Sequence, residues 1–472
     1  MLPMFQRCSE HVPNERAPNM FRPNAVPGNL RLPLAISRTG MGLGFVFLVL
    51  SALQVVGACE ILRIATDFTG ATTYSGIALS LHGENLESIC NLVQSLFAFG
   101  CGVSYLLITS NELLYVFSLL QHSFAWRLPY AWCASREFLL SVVTLAVVLP
   151  LSLLRSMKAL QYTAFLAVSC CLYINGVIVL HSPGLENACR LAEHSAYNCV
   201  GDKCVVEPRS WVADYSDEKS CAQLCEDVPQ YQAATPAWAR YGPGLWQSIP
   251  ILILAFNPVV AYVPVLTEMK RKRSKRVRVT TFAAVLLCFL VYVSASFGGY
   301  LSFCDRVCPN ILDCYPAENV LVLFARVSLI MILVCTFPVY AFPVRLALLR
   351  ALKVKKQNKQ KMSDALSLLI VFSALTLANI FSNLDVVIGL TGATCGVSTL
   401  ILLPGIFWVK LATRTAPEPD SPLWKRRGGN LPVSRVPWGG TCHKLIGYAL
   451  IAEGVVFLLV CPTTIILQAI QS

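Results

Sequence analysis

The chain has 472 residues, of which 55% are hydrophobic and only 14% are charged. Average soluble domains carry about a quarter charged residues, so this composition excludes a water-soluble globular protein. The formal net charge of +12 at pH 7 fits either nucleic-acid binding or basic cytoplasmic loops. Because the apolar residues come in blocks of membrane-spanning length, the second interpretation is favoured and no nucleic-acid partner is predicted.

These apolar blocks predict an all-α polytopic membrane protein with about eleven transmembrane helices. The first candidate span, residues 20–38, contains Arg22, Arg31 and three prolines, and it is the least regular. The other candidate spans are residues 41–64, 88–113, 137–155, 159–181, 244–267, 279–303, 319–347, 363–382, 385–411 and 443–468.

Clusters of lysine and arginine set the predicted orientation. They lie within residues 270–278, 350–361 and 425–427, and they alternate with loops that lack such clusters. Positively charged loops stay in the cytoplasm, so all three loops are predicted to be cytoplasmic. If residues 20–38 do not span, the N-terminus lies on the opposite side.

The orientation divides the chain into predicted regions. These are a cytoplasmic N-terminal tail at 1–19, a membrane core at 20–412, a cytoplasmic loop at 413–442, and a last membrane helix with the C-terminus at 443–472. Within the core, residues 182–243 form a cysteine-rich extracytoplasmic loop.

Cysteines collect in the loops opposite the basic clusters. The 182–243 loop holds Cys189, Cys199, Cys204, Cys221 and Cys225, and the loop before the 319–347 span holds Cys304, Cys308 and Cys314. Cysteines on a non-cytoplasmic face favour disulfides. Five cysteines cannot all pair within one loop, so one bridge to the 304–314 loop is expected. A zinc site is the weaker alternative, since neither a CxxC pair nor a matching histidine pattern occurs, and no bound metal is predicted.

Two candidate spans carry helix-breaking residues at mid-membrane depth. Asn257-Pro258 interrupts the 244–267 span, and residues 24–29, with Pro27 and Gly28, interrupt the first. Interrupted segments at corresponding positions of two halves point to a transporter binding site. Half-helix N-termini can hold a carboxylate there, and freed carbonyls can hold an ammonium. A zwitterionic amino acid presents both groups. Simple proline kinks are the alternative.

Several motifs within residues 24–411 resemble the amino acid/auxin permease family, and most closely its sodium-coupled neutral amino acid transporter branch. Gly28 to Pro33 is similar to the family's G-x-L-x-L-P, residues 99–106 (FGCGVSYL) to its F-G-x-x-x-x-Y-L, and residues 149–155 (LPLSLLR) to its hinge between helices four and five. Further similar stretches lie at residues 249–268, 297–301, 336–345 and 389–396.

The resemblance implies a secondary active transporter of amino acids, expected to be neutral ones, and not an enzyme. It further implies a five-plus-five inverted repeat of the LeuT type that works by alternating access, with substrate bound at unwound helices one and six. The candidate substrate-binding residues are Val26, Pro27, Gly28, Asn29, Gly102, Tyr105, Leu254, Ala255, Phe256 and Asn257.

No cofactor is predicted beyond Na⁺ or H⁺ as a coupling ion. Thr336 keeps the position that matches the family's sodium site, and Asn24 can supply the matching asparagine only after a deletion of two residues. Val26 replaces the first glycine of the family's first helix, and residues 258–261 (PVVA) replace its usual C-H-x-N run. The choice between sodium and proton coupling therefore stays open.

Arg31 is a charge at membrane depth, which is costly. It either binds a substrate carboxylate or snorkels to the interface, and we favour snorkelling. Two of the candidate residues also have simpler interpretations. Thr336 can form a hydrogen bond within its own helix, and Tyr105 can be a packed aromatic ring.

Two other functions compete with transport. An amino acid sensor of the same fold is the first alternative. A membrane-embedded enzyme is less favoured, because all six histidines fall in loops or near segment ends and supply no catalytic constellation. The predicted partners are an amino acid and the lipid bilayer, in either the plasma membrane or a vacuolar or lysosomal membrane.

Overall fold

The structure, a computed structural model, describes fifteen stretches of the chain. They are residues 30–124, 135–153, 160–183, 189, 198–200, 203–205, 236–257, 259–269, 274–304, 307–308, 310–315, 319–352, 358–380, 384–413 and 441–471.

Helices dominate the described residues. In chain order they are α1 (Leu32–Thr39), α2 (Met41–Thr69), α3 (Tyr74–His82), α4 (Glu84–Phe124), α5 (Arg136–Val143), α6 (Leu149–Leu153), α7 (Leu160–Leu180), α8 (Pro243–Ala255), α9 (Val259–Glu268), α10 (Ser274–Phe303), α11 (Val320–Ala351), α12 (Lys359–Ile380), α13 (Leu384–Thr391), α14 (Leu403–Thr413) and α15 (Thr441–Gln471). The π-helical stretch Thr144–Val148 joins α5 to α6, and Gly392–Gly396 and Ser398–Leu402 lie between α13 and α14.

Eight helical segments among the described residues are long and apolar enough to cross a membrane. They are Met41–Thr69, Glu84–Phe117, Arg136–Leu153, Ser274–Phe303, Val320–Leu349, Gln360–Ile380, Val386–Thr413 and His443–Leu467. Shorter apolar helices occur at Phe165–Leu180 and Gly244–Ile253. The predicted all-α membrane protein is thus confirmed. The exact count of eleven helices and the inverted repeat stay predictions.

The outer faces of these helices are apolar. Leu53 on α2, Phe165 on α7 and Leu459 on α15 belong to a large set of exposed apolar side chains. In water such a surface would drive aggregation, whereas in a bilayer it contacts lipid. One polar contact, from Gln54 Nε2 to Glu453 Oε1 at 2.9 Å, joins α15 to α2.

Helix α4 lies at the centre of the bundle, where two glycines permit close approach. A Cβ added at Gly102 would lie 3.1 Å from Phe337 Cε2 of α11. A Cβ added at Gly100 would lie 2.5 Å from Thr391 Oγ1 of α13. Without a hydrophobic driving force inside the membrane, helices associate by such close packing at small residues.

A tight connection joins α1 to α2. Gly40 has φ +82°, which a residue with a Cβ rarely adopts. The backbone after it is held by the segment that precedes α8, through Met41 N to Ala237 O at 2.9 Å and Gly42 N to Trp238 O at 2.8 Å. These bonds fix the end of α1 against the start of α8.

Two disulfides between described residues stabilise the loops that follow α7 and α10. Cys189 bonds Cys304, with their Cα atoms 5.3 Å apart, and Cys308 bonds Cys314. The first of these is the predicted bridge between the 182–243 loop and the 304–314 loop. In the same long loop, the strands β1 (Asn198–Val200) and β2 (Lys203–Val205) pair antiparallel.

Candidate functional site

The predicted break in the sixth candidate span is present. Helix α8 ends at Ala255, and Phe256 leaves helical geometry with φ −95° and ψ 26°. Helix α9 begins at Val259. Since Pro258 has no N–H to donate to the carbonyl of Leu254, a regular helix cannot continue through this point. Four predicted site residues, Leu254 to Asn257, therefore lie at or beside the break.

The aromatic side of the break is formed by α10. Tyr292 Oη donates to the carbonyl of Ala255 at 2.9 Å, which satisfies one of the last carbonyls of α8. The rings of Phe256 and Tyr292 meet edge to face, with centroids 4.6 Å apart. Tyr292 was not among the sequence-predicted site residues. It holds both the backbone and the ring at the break.

The polar side of the break is formed by the π-helical stretch Ser398–Leu402. Asn257 is buried, at 1% exposure, and its Nδ2 donates to Thr399 Oγ1 at 3.0 Å. The carbonyl of Thr399 accepts from Tyr74 Oη at 2.9 Å. Asn257 Oδ1 has no hydrogen-bond partner among the described residues. Buried polar atoms are nearly always paired, so this oxygen marks a place for a donor.

The first candidate span is described only from Leu30 onward. Helix α1 begins at Leu32, with Pro33 in its first turn and Arg31 as its N-cap residue. The predicted residues Val26, Pro27, Gly28 and Asn29 lie outside the described residues, as does Asn24 of the predicted coupling-ion site. Arg31 is 2% exposed, so its side chain does not reach a solvent interface. The favoured snorkelling interpretation is wrong for this structure.

Gly102 and Tyr105 lie on the buried face of α4. Gly102 faces Phe337 of α11, and the Tyr105 ring packs edge to face against Tyr340 with centroids 5.2 Å apart. Both positions therefore serve the packing of α4 against α11. Their predicted contact with substrate stays a prediction.

Thr336, the other predicted coupling-ion residue, is buried on α11. Its Oγ1 donates to the carbonyl of Ile332 at 2.6 Å, within its own helix. This is the simpler interpretation offered by the sequence, and the role in ion binding stays a prediction. Within the described stretches, no three His, Cys, Asp or Glu side chains are grouped so that they could hold a metal ion.

The sequence predictions did not include a buried ionic cluster that joins α4, α11 and the segment 310–315. Glu112 of α4 and Arg326 of α11 are both fully buried, with Oε2 and Nη1 2.8 Å apart. Arg326 Nη1 also lies 3.0 Å from Asp313 Oδ1 and Nη2 donates to the carbonyl of Leu312 at 2.6 Å. Charged residues within apolar helices are rare and usually have a buried partner. This rule applied to the sequence would have indicated both Glu112 and Arg326.

This cluster holds the segment 310–315 in place. Asn310 Nδ2 donates to Glu112 Oε1, and the Arg326 guanidinium lies 3.6 Å from the centroid of the Tyr115 ring. The segment in turn contacts the first helix, because Ile311 N donates to the carbonyl of Leu30 at 3.3 Å. The segment 310–315 therefore lies against Leu30, the residue before Arg31.

Comparison with known proteins assigns the class. The family model described as "Transmembrane amino acid transporter protein" matches residues 25–201 and 227–425. The chain belongs to this family of transmembrane amino acid transporters. Its members are transporters and not enzymes.

Individual relatives agree with that assignment. The sodium-coupled neutral amino acid symporter 2 of Danio rerio is 24% identical over 398 residues, which cover 83% of this chain and 74% of that protein. Among solved structures, MhsT in complex with L-phenylalanine is similar, with a TM-score of 0.51 and 11% identity over 96% of this chain and 98% of that one. At such low identity the structural likeness shows the fold alone, and that fold is the predicted LeuT type.

Proposed function

We propose that the chain is a secondary active transporter that carries neutral amino acids across a membrane by alternating access. The substrate binds between the start of α1 and the break that separates α8 from α9. The observation that carries this proposal is the break itself, together with the buried Asn257 Oδ1 inside it, which has no hydrogen-bond partner in the described part of the chain.

The chemistry of the break matches the ends of an amino acid. The carbonyl of Leu254 lacks its helical partner because residue 258 is proline. Together with Asn257 Oδ1 it offers acceptors to a substrate ammonium. The N-terminus of α1 carries the positive end of the helix dipole, which suits a carboxylate. Phe256, buried against Tyr292, provides an apolar contact for the side chain.

A coupling ion drives accumulation in this proposal. Sodium is the first ion to test, because the Danio rerio relative is named as a sodium-coupled symporter and Thr336 occupies the matching position of α11. Protons are the alternative. Residues Val26 to Asn29 of the first helix complete the proposed substrate site. Asn24 completes the proposed coupling-ion site together with Thr336.

The proposed topology keeps residues 1–19 and 413–442 in the cytoplasm and the disulfide-bearing loops on the other side. Both disulfides lie on the face predicted to be extracytoplasmic, where an oxidising environment preserves them. The membrane is either the plasma membrane or a vacuolar or lysosomal one.

Substitution at Phe256 tests the location of the site. Purified protein in proteoliposomes is given radiolabelled neutral amino acids under an imposed Na⁺ or H⁺ gradient. We expect Phe256→Trp to abolish most uptake, because the larger ring fills the break. The control Phe165→Trp changes a lipid-facing ring on α7 that is 78% exposed, and it should leave uptake unchanged. Equal uptake by both variants contradicts a site at the break, and binding without uptake supports the sensor instead.

A further inference from the structure

Tyr292 of α10 contacts the helix break with both its hydroxyl and its ring. The hydroxyl donates to the carbonyl of Ala255 at 2.9 Å, and the ring meets the Phe256 ring edge to face with centroids 4.6 Å apart. In a continuous helix the carbonyl of Ala255 would accept from the N–H of Val259, but α8 ends at Ala255 and α9 begins at Val259. The Tyr292 hydroxyl therefore occupies the position of a helical donor where the helix is interrupted.

The direction of the Phe256 ring depends on this neighbour. Phe256 has left helical geometry, so its contacts, and not a regular helix, set where the ring points. Tyr292 lies near the middle of α10, which is continuous from Ser274 to Phe303. Tyr292 and Phe256 are each 3% exposed. Because protein interiors are close-packed, a ring fixed on α10 prevents the Phe256 ring from turning towards that helix.

Two further rings belong to the same group. Tyr105 of α4 and Tyr340 of α11 meet edge to face, with centroids 5.2 Å apart, and each is at most 6% exposed. Both lie close enough to Tyr292 for the phenol groups to interact electrostatically. The break and three helices thus bring four aromatic side chains together, and a substrate side chain placed against Phe256 meets this group of rings.

We propose that Tyr292 sets the upper limit on the size of the substrate side chain, as a positioning residue that acts through Phe256. The inference rests on the proposed function, in which Phe256 contacts the substrate side chain, and it names the substrate class, neutral amino acids with small side chains. A methyl group fits beside the fixed Phe256 ring. A larger side chain competes with that ring for space, and overpacking of a close-packed site is costly.

The test compares L-alanine with L-phenylalanine as competitors for uptake of a radiolabelled neutral amino acid into proteoliposomes. One methylene in an apolar pocket already changes selectivity by about 10- to 200-fold, so the native protein should prefer alanine by at least about 10-fold. Tyr292→Ala leaves a cavity behind Phe256, into which that ring can turn. We expect this variant to shift the ratio towards phenylalanine by about 10-fold or more.

Two other substitutions separate the ring of Tyr292 from its hydroxyl and from Phe256. Tyr292→Phe keeps the ring, so the ratio should stay close to the native one, while affinity for both ligands falls together because the carbonyl of Ala255 loses its donor. Phe256→Leu shortens the ring that Tyr292 positions and should shift the ratio in the same direction as Tyr292→Ala. The two shifts should not add in the double variant, because both act on the same ring.

Tyr300→Ala is the matched control. Tyr300 lies on the same helix, about two turns further along, is fully buried, and its hydroxyl accepts from Ala237 N at 3.1 Å. Loss of its ring should lower uptake of both ligands and leave their ratio unchanged. If Tyr292→Ala is not obtained as monodisperse protein, Tyr292→Leu tests the same ratio with a smaller expected shift.

Three results overturn the inference. One is a native protein that takes phenylalanine as well as alanine, and another is an unchanged ratio in the Tyr292 variant that removes the ring. The third is an equal change of the ratio in Tyr300→Ala, which would mean that loosened packing of α10 is sufficient. In each of these cases amino acid uptake by the native protein leaves the proposed function standing. Absence of both binding and uptake for every amino acid overturns the two together.

Discussion

Replacement of Arg326 by methionine removes the cation from the buried cluster that joins α4, α11 and the segment 310–315. Glu112 and Arg326 are both fully buried, and their charged atoms are 2.8 Å apart. Removal of one partner leaves the other charge uncompensated in a medium of low dielectric constant, which costs about 3–5 kcal/mol. The contact with Asp313, whose side chain is 44% exposed, adds about 0–1 kcal/mol. We therefore expect Arg326→Met to lose about 3–6 kcal/mol of stability.

The assay is the temperature at which half of the monodisperse protein is lost in detergent, measured by size-exclusion chromatography after heating. The control is Arg278→Met, which breaks an ion pair with Glu60 in which Arg278 is 55% exposed. Exposed pairs contribute about 0–1 kcal/mol, so this variant should melt close to the native protein. The double variant Glu112→Gln with Arg326→Met should be less destabilised than the sum of its single changes, since neither charge is left alone.

Two results would refute this reasoning. The first is a melting temperature for Arg326→Met that matches Arg278→Met. The second is strict additivity in the double variant, which would mean that Glu112 and Arg326 do not interact.

Two further predictions concern the loop that is closed by the Cys308–Cys314 disulfide and the centre of the helix bundle. Replacement of both Cys308 and Cys314 by serine should lower the free energy of unfolding by about 2 kcal/mol, because this disulfide closes a short loop. Mass spectrometry under non-reducing conditions checks that the bond is present in the native protein, and the melting temperature measures its effect. An unchanged melting temperature contradicts the prediction. Gly102→Val should lower the free energy of unfolding by about 1–3 kcal/mol through overpacking, because a Cβ added at Gly102 would lie 3.1 Å from Phe337 Cε2. Gly176→Ala is its control, since no heavy atom of the described residues outside the backbone of its own helix lies within 4 Å of the added Cβ. Similar melting of the two variants would argue against close packing of α4 on α11.

Hydropathy and local chemistry predicted much of the fold. The apolar blocks correspond to long helices because spanning segments must satisfy their backbone internally. The break after Ala255 was predictable from Asn257-Pro258 for the same reason that the helix ends there, which is the missing N–H of proline. The short helix α3 was not predicted, although Thr73 before it caps its first turn through Oγ1. Its nine residues are too few for a clear periodic signal.

Long-range pairing was the part that the sequence could not supply. The odd number of cysteines in the 182–243 loop indicated a bridge to the 304–314 loop, but only the fold selects Cys189 and Cys304 from the candidates. Glu112 and Arg326 are 214 positions apart, and each alone indicates only some buried partner. The same holds for Tyr292, whose hydroxyl meets the end of α8 from a helix further along the chain.

Gradient-driven accumulation tests the central claim most directly. Proteoliposomes that contain the purified protein are loaded with buffer, and the internal and external concentrations of a radiolabelled neutral amino acid are followed under an inward Na⁺ or H⁺ gradient. A secondary active transporter with its substrate site at the helix break raises the internal concentration above the external one, and Phe256→Trp prevents this. An internal concentration that never exceeds the external one under either gradient would contradict the account.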